Sequence, residues 1–405
     1  MICISTNIKK IKKLPEIKHL SSVVFYIALV IELLLVLIDK SAFINPVEGR
    51  MFQIAFALFF IKFLLTEYSM REYVIFTIFL LMGLLADYFG DRNEIIRFAV
   101  ALFACKDIEI KKGFKVIFWI QTIGCVLIAA ASIIGIYGEL TVEKEYQGEG
   151  LFTRYCFGMG NANSFHTMFF VSVLLGLYLY NEIIKWWGYI LLICADLYLF
   201  KLTDCKTATA LTLFSILAFW IAPILKEKSF RLFTWISRGM MVLNIVLLLL
   251  SVYFAAGARG YCKYYWDSFW ENPPNPPYLI IFFDKLLTGR ILSLTEYDYH
   301  GTMDSWTWFT TPNHNVYFDL GWVRLFYWYG IILAVIVIIV LFYILYWLQK
   351  MKKTNEFIFV SFILFHMFVE AHFVSVYIGR SYVLFLIGML LPEILYVNKK
   401  RTEKC

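Results

Sequence analysis

An all-α polytopic integral membrane protein, with about twelve transmembrane helices and one large extracytoplasmic loop, is the architecture expected of this 405-residue chain. Three observations lead there. Hydrophobic residues make up 61% and charged residues only 17%, against the roughly 25% charged fraction of an ordinary soluble domain. Apolar runs long enough to cross a bilayer recur along nearly the whole length. Basic clusters fall on alternate loops between those runs, as they do when one set of loops faces the cytoplasm.

The first apolar run, Ser21 to Ile38, follows a basic, polar N-terminus and is long enough to remain as a span, so no cleavable signal peptide is expected. Further spans are expected near Met51 to Leu65, Tyr73 to Phe89, Phe114 to Tyr137, Ser164 to Tyr180, Trp187 to Leu202, Thr207 to Leu225 and Ile236 to Ala256. Three more follow at Leu325 to Trp347, Phe357 to Val374 and Tyr382 to Val397. A shorter run, Ile95 to Cys105, carries Arg97 and completes the set. Residues 1–405 read as a single membrane domain, with residues 258–321 as a large loop between the ninth and tenth spans.

The basic clusters test that count, because one miscounted span inverts every later loop. Lys9, Lys10, Lys12, Lys13 and Lys18 open the chain; Lys111, Lys112 and Lys115 precede the fifth span. Lys226, Lys228, Arg231 and Arg238 follow the eighth, Lys350, Lys352 and Lys353 the tenth, and Lys399, Lys400 and Arg401 the last. All share one side when the short run is counted. The opposite side holds the acidic residues Glu139, Glu143, Glu145 and Glu149 and the long loop. Both termini are then cytoplasmic and the long loop faces outward. Lysines and arginines beside anionic lipid account for the net charge of +7 without any nucleic-acid partner. The eight cysteines contain no CxxC pair, so no zinc or redox motif is indicated; Cys156, Cys205 and Cys262 are external, where a disulfide is chemically allowed.

Three boundary segments place a cation among polar groups. Arg154-Tyr155-Cys156-Phe157-Gly158-Met159-Gly160-Asn161-Ala162-Asn163 leads straight into a span. Asn163 reads as the N-cap there, and glycines let backbone amides approach an anion at the positive helix end. The bland alternative is a turn and a cap. Leu202-Thr203-Asp204-Cys205-Lys206-Thr207 is a tight turn with one acid and one base, or simply an interfacial lysine that snorkels. Leu286-Leu287-Thr288-Gly289-Arg290-Ile291-Leu292 presents one arginine after an apolar stretch, placed to reach lipid phosphates. The loop exit, Tyr317-Phe318-Asp319-Leu320-Gly321-Trp322-Val323-Arg324, sets acid and base at the membrane edge, where charges are costly unless a ligand or wet cavity receives them.

The order of these segments resembles the Wzy-type polysaccharide repeat-unit polymerases of the O-antigen ligase/polymerase superfamily. Arg154, Phe157, Gly158 and Asn163 resemble that family's arginine before a Gly, Phe and Asn-containing helix start. Thr203-Asp204-Cys205-Lys206-Thr207 looks like its Thr-x-Ser-Arg-Thr turn, with Lys206 for Arg and Cys205 for Ser. Leu287, Thr288, Gly289 and Arg290 match its Leu-Thr-Gly-Arg. Asp319, Trp322, Leu325, Tyr329, Gly330 and Ile331 are similar to its Asp-Asn-x-Tyr followed by Leu and Tyr-Gly-Ile, with Trp322 for Tyr and Leu320 for Asn. The related ligases carry His-Asn before their Gly, which His314-Asn315 echoes. Yet His314 lies sixteen residues before Gly330 and Asp319 eleven, the polymerase-like interval.

The resemblance implies a C-type glycosyltransferase-like fold and polymerisation of undecaprenyl-pyrophosphate-linked repeat units into capsule, exopolysaccharide or O-antigen-like polymer, with inversion at the anomeric carbon. A flippase and a chain-length regulator of the same pathway are its implied partners. On the outer face no nucleotide sugar or ATP is available, so the leaving group must arrive attached to the donor, and lipid pyrophosphate is such a group. Fixed cations stabilise charge growing on the departing phosphate. Arg154 and Arg290, with Lys206, Arg259 and Arg324, are the candidates, and Asn163 and Trp322 join them as substrate contacts. Acidic ligands beyond Glu296 and Asp298 are lacking, so a metal-independent reaction without cofactors is expected.

Asp319 or His314 is the candidate to orient the acceptor hydroxyl or take its proton. Alternative roles are an ion pair of Asp319 with Arg324 and an ordinary loop His314. Trp306, Trp308, Trp322 and Trp328 surround the loop exit and offer sugar-stacking faces, although aromatic belts are routine at interfaces. Glu370, His372 and Arg380 gather near the last outer turn. A ligase-type transferase and a repeat-unit flippase are the competing classes. The second would more often show short loops, repeat symmetry and mid-membrane ionisable residues, of which Lys62 and Asp196 are the visible examples.

Overall fold

The computed structural model describes residues 15–146, 150–266, 278–296, 300–312, 314 and 316–402. Lys9, Lys10, Lys12, Lys13, Glu149, Asp298 and Asn315 lie outside the described residues. Among the described residues 76% are helical, and eight helices are long and apolar enough to cross a membrane, as in a polytopic membrane protein.

In chain order the helices are α1 (Pro15–Lys40), α2 (Glu48–Leu65), α3 (Met70–Gly90), α4 (Glu94–Ala104) and α5 (Ile110–Ile133). A hairpin of β1 (Thr141–Tyr146) and β2 (Gly150–Tyr155) leads to α6 (Ala162–Tyr180), α7 (Trp186–Thr203), α8 (Lys206–Lys228) and α9 (Phe230–Trp266). The remainder is α10 (Tyr278–Leu286), α11 (Gly321–Lys350), α12 (Thr354–His366) and α13 (Tyr382–Thr402). A helix stands at each of the twelve expected positions, and α10 is additional. The helices below the crossing criterion are α2, which carries Glu48, Arg50 and Lys62, and the shorter α4, α10, α12 and the apolar part of α13.

The chain divides into two compact units. Unit one comprises Met1–Leu80, Ile96–Ile221 and Tyr377–Cys405; unit two comprises Leu81–Ile95 and Ala222–Val376. In unit one, α1 packs on α2, on α5 and on a 3-10 turn at Ile378–Arg380, while α6 packs on α5 and α7. Phe25 of α1 meets Phe59 of α2 edge-on at 5.7 Å between ring centres. Further along α1, Val36 and Leu37 join Cys125, Met159 and Met168 in a buried cluster. The outer faces stay apolar: Trp119, Ile123, Val126 and Leu127 on α5 are all at least half exposed, a surface that hydrocarbon covers and water does not.

The hairpin is a departure from the loop expected between α5 and α6. Its strands pair antiparallel, with Val142 opposite Arg154 and Thr141 opposite Tyr155. Thr, Val, Phe and Tyr favour extended backbone, and pairing satisfies amides that a free loop would leave to water.

In unit two, α9 packs on α10, α11 and α12, and α11 on α12. Three boundaries differ from expectation. The α9 helix runs on to Trp266, so the first residues assigned to the large loop are helical. The eleventh expected span stops at His366 rather than Val374, and the chain continues through turns to Val376. Third, α11 is broken at Gly330, whose φ of 77° and ψ of 166° are non-helical. The loop supplies the partners that the break frees. Ile331 and Ile332 donate their N–H groups to the carbonyls of Thr307 and Trp308 at 2.9 and 3.2 Å. The Thr310 hydroxyl donates to the Trp328 carbonyl at 2.7 Å, and the His314 Nδ1–H to that of Tyr327 at 2.6 Å.

Candidate functional site

In unit two the Leu-Thr-Gly-Arg segment is a tight turn after α10. Thr288 and Gly289 both take positive φ, 57° and 83°, which turns the chain sharply enough to aim Arg290 inward. Asp284, a residue that the sequence reading passed over, holds the turn from below. Its Oδ1 accepts the N–H groups of Ile291 and Leu292 at 2.7 and 3.1 Å, and its Oδ2 accepts the Tyr261 hydroxyl at 3.0 Å. An acid inside an otherwise apolar short helix, six residues before the arginine, is the signal that marks it.

Arg290 is itself only 5% exposed. Its Nε donates to Asp319 Oδ2 at 3.0 Å, one terminal nitrogen reaches Glu370 Oε1 at 3.5 Å, and the other donates to the Leu287 carbonyl at 3.2 Å. A guanidinium is thus gripped between two carboxylates. Asp319 is 47% exposed, and Glu370 belongs to the non-helical stretch after α12. The structure brings Arg290 and Asp319 together, and Glu370 completes the group. Truncation of α12 explains how Glu370 reaches it, since a continued helix would carry this residue onward along the span.

Other residues of unit two go elsewhere. Arg324 donates to the Phe318 carbonyl and lies over the rings of Tyr317 and Trp328 at 5.4 and 5.3 Å, whereas Arg290 is the ion-pair partner of Asp319. Arg259, on the helical extension of α9, makes an exposed ion pair with Asp304 at 3.1 Å. Trp322 and Trp328 are fully enclosed, so both ring faces are taken by protein and neither can stack on a sugar in this conformation. Trp306 is stacked on Phe326 at 4.5 Å, while Trp308 is 68% exposed and keeps a free face.

His314 is buried and stacked on Tyr327 at 4.3 Å. Arg92, in the turn before α4, donates to its backbone carbonyl, pairs with Glu94 at 2.9 Å and lies over Trp328 at 4.2 Å. Burial lowers the His314 pKa below its ordinary value; the hydrogen bond to Tyr327 opposes this, and His300 and Arg92 add to it. With Nδ1–H donated to a carbonyl, the neutral ring carries its lone pair on Nε2.

In unit one Arg154 is 3% exposed at the end of β2. It donates to the Thr203 carbonyl at 2.6 Å, the Asp204 carbonyl at 3.3 Å and Asn163 Oδ1 at 2.8 Å. Asn163 is not the N-cap. Asn161 takes that role, its side chain accepting the Asn163 N–H at 2.9 Å, because Asn161 has the extended backbone that a cap requires. This frees the Asn163 side chain for Arg154. Lys206 stands exposed at the start of α8, just past Asp204, which is left-handed at φ 47°. Cys156, Cys205 and Cys262 are buried and none is disulfide-bonded, so the allowed disulfide is not formed.

Beneath Arg154 lies a buried relay. Thr203, whose carbonyl Arg154 grips, pairs through its hydroxyl with His166 Nδ1 at 2.8 Å, and His166 Nε2 pairs with Asp196 Oδ1 at 2.9 Å. All three residues are inaccessible to solvent. Asp196 was visible in the sequence as an intramembrane charge; His166 was hidden inside a span and only its partner reveals it. Of the trio near the last outer turn, Arg380 pairs with Asp39 at 3.9 Å in unit one, and His372 lies against His366, ring centres 5.2 Å apart, in unit two.

Comparison of the chain with protein-family models, with curated proteins and with solved structures finds no match in any of the three.

Proposed function

We propose that this protein is a membrane glycosyltransferase that polymerises undecaprenyl-pyrophosphate-linked oligosaccharide repeat units on the outer face of a bacterial plasma membrane. In this reading all twelve helical positions cross the bilayer, both termini are cytoplasmic and the large loop faces outward. The observation that carries the reading is the Arg290–Asp319–Glu370 group: a nearly buried guanidinium at a loop turn, beside a half-exposed carboxylate at the start of a broken helix.

The acceptor sugar's hydroxyl oxygen attacks the anomeric carbon of the donor chain, and its proton passes to Asp319 or to Nε2 of His314. The bond from that carbon to the lipid pyrophosphate breaks, and its electron pair leaves on the phosphate oxygen. Arg290 stabilises the charge as it develops, which is where an oriented guanidinium contributes most. Within unit one, Arg154 and Lys206 are the proposed phosphate-binding cations. The relay through Thr203, His166 and Asp196 fixes the carbonyl on which Arg154 rests. A single displacement inverts the anomeric configuration.

Transport of the lipid-linked unit is the second reading, and one observation favours it. Glu32 within α1 and Lys62 within α2 are fully buried or nearly so, and Asp196 within α7 is fully buried, which adds ionisable groups to the membrane interior. One experiment separates the two. The gene is deleted and complemented with wild type, Arg290→Ala or Asp319→Ala at matched abundance, and the surface glycan and lipid-linked pool are sized. Polymerisation requires loss of polymer with single lipid-linked units accessible from outside. Units retained on the cytoplasmic face mean transport, and unchanged polymer in both variants removes Arg290 and Asp319 from the site.

A further inference from the structure

Unit one holds a second polar site at the opposite end from Arg154. The first turns of α1, the last turn of α2 and the turn after α4 enclose a cavity of about 780 Å³. Arg154 and its hairpin lie by the other end of α1, where the Ala42 N–H donates to the Gly158 carbonyl. At 1.5 Å per helical residue, Lys18 and Ala42 are roughly 36 Å apart, about one bilayer thickness.

The cavity is lined by charges of both signs: Lys18, Lys62 and Lys106 against Glu67 and Asp107, with the Thr66 hydroxyl between. Lys106 is already engaged, donating to Glu72 Oε2 at 2.8 Å and to the Glu67 carbonyl at 2.7 Å. Lys62 makes no ion pair among the described residues. It is 2% exposed, and its ammonium donates only to two neutral oxygens, Thr66 Oγ1 and the Lys106 carbonyl, both at 3.0 Å. Among the described residues no ion pair joins Lys18 or Lys62 to Glu67 or Asp107, although all four line one cavity. Two ammonium groups therefore face two carboxylates without touching them. A buried ammonium without a counter-charge in contact is costly, and so is filling the space with a simple anion against two carboxylates.

An occupant carrying both signs satisfies every group at once. Its phosphate accepts hydrogen bonds from the ammonium groups of Lys62 and Lys18, and its primary ammonium donates to Asp107 and Glu67. Leu20 and Leu64, next to the cavity on α1 and α2, are each 51% exposed and offer an apolar track for acyl chains. We propose that this cavity binds the phosphoethanolamine group of a zwitterionic phospholipid. The same chemistry would accept free phosphoethanolamine, so the test separates the two sources.

The full-length protein, purified in detergent and stripped of lipid, is titrated with short-chain phosphatidylethanolamine, phosphatidylcholine and phosphatidylglycerol, and with soluble O-phosphoethanolamine. Binding is read by native mass spectrometry and by thermal shift. Phosphatidylcholine keeps both charges but has no N–H to donate; phosphatidylglycerol lacks the cation. The ethanolamine lipid is expected to bind about tenfold tighter than either, and Asp107→Asn or Lys18→Ala to weaken it about tenfold. Both of those residues are exposed, and asparagine tolerates the positive φ of Asp107, 64°, so folding is preserved. Lys62→Met is expected to abolish binding, and if it does not fold, the two surface variants still decide. O-phosphoethanolamine binding as tightly as the lipid supports the site and assigns it a free ligand. Equal binding of all three lipids, a preference for phosphatidylglycerol, or full binding in both surface variants overturns the proposal.

Discussion

Arg290 is where the fold and the proposed chemistry meet. Its planar fork is shared among Asp319, Glu370 and the Leu287 carbonyl, a division that a point-charge ammonium cannot reproduce. Arg290→Lys is therefore expected to lower the polymerisation rate about 10- to 100-fold, the value of one charged hydrogen bond, and Arg290→Ala to lower it further; a lysine variant with the wild-type rate would reduce Arg290 to a carrier of charge. His314 makes a pH prediction. Burial holds its pKa below the ordinary 6.5, so the docked loop binds fewer protons than the released loop once pH falls through that value. The neutral ring's contribution is full above about pH 6.5, declines as pH falls and levels off below the depressed value. Proteolysis of the loop should accelerate between pH 7.5 and 5, and His314→Gln should flatten that dependence; an unflattened curve would remove His314 as its cause. Arg290, Asp319 and His314 were all legible as candidates, because each is an ionisable residue in a polar segment between apolar runs. Glu370 was noted near the last outer turn, but its pairing with Arg290 was not legible, nor was the approach of Arg92 to His314, because tertiary contacts bring these residues in from distant positions.

The elements were legible in existence and blurred at their ends. Apolar length is a local property, so each of the twelve expected positions holds a helix, but breaks and extensions depend on what a neighbouring segment offers. Gly330 shows why. The sequence reads through it as one continuous span, yet the loop carbonyls of Thr307 and Trp308 replace the lost helical partners of Ile331 and Ile332. A Cβ at this position would lie 2.6 to 2.8 Å from the backbone of Phe309 and Trp308, on top of a positive φ that disfavours any side chain. Gly330→Ala is expected to push the loop off the break, with faster cleavage of residues 300–312 by added protease and loss of at least 1 kcal/mol of stability. Unaltered cleavage and melting would show that the break does not hold the loop. The hairpin at β1 and β2 escaped for a related reason: strand pairing is a non-local choice, and an acidic run between spans reads equally well as loop.

For the whole molecule, composition and hydropathy sufficed to establish a polytopic membrane protein, whereas the sense in which the chain threads the bilayer rests on the basic clusters. Single cysteines on a background without the native cysteines test that sense. A cysteine at Thr307 should react with a membrane-impermeant maleimide in intact cells and one at Lys352 only after lysis; the reverse pattern would invert the proposed topology. The polymerase reading rests on a resemblance of four segments and on two cation-centred groups, Arg154 with Asn163 in one unit and Arg290 with Asp319 in the other. Its decisive measurement is reconstitution: the purified protein in liposomes, supplied only with undecaprenyl-pyrophosphate-linked repeat units and neither nucleotide sugar nor ATP. The account predicts a ladder of lipid-linked oligomers with one undecaprenyl pyrophosphate released per linkage, absent with Arg290→Ala. Movement of intact units across the bilayer with no oligomers formed would contradict it.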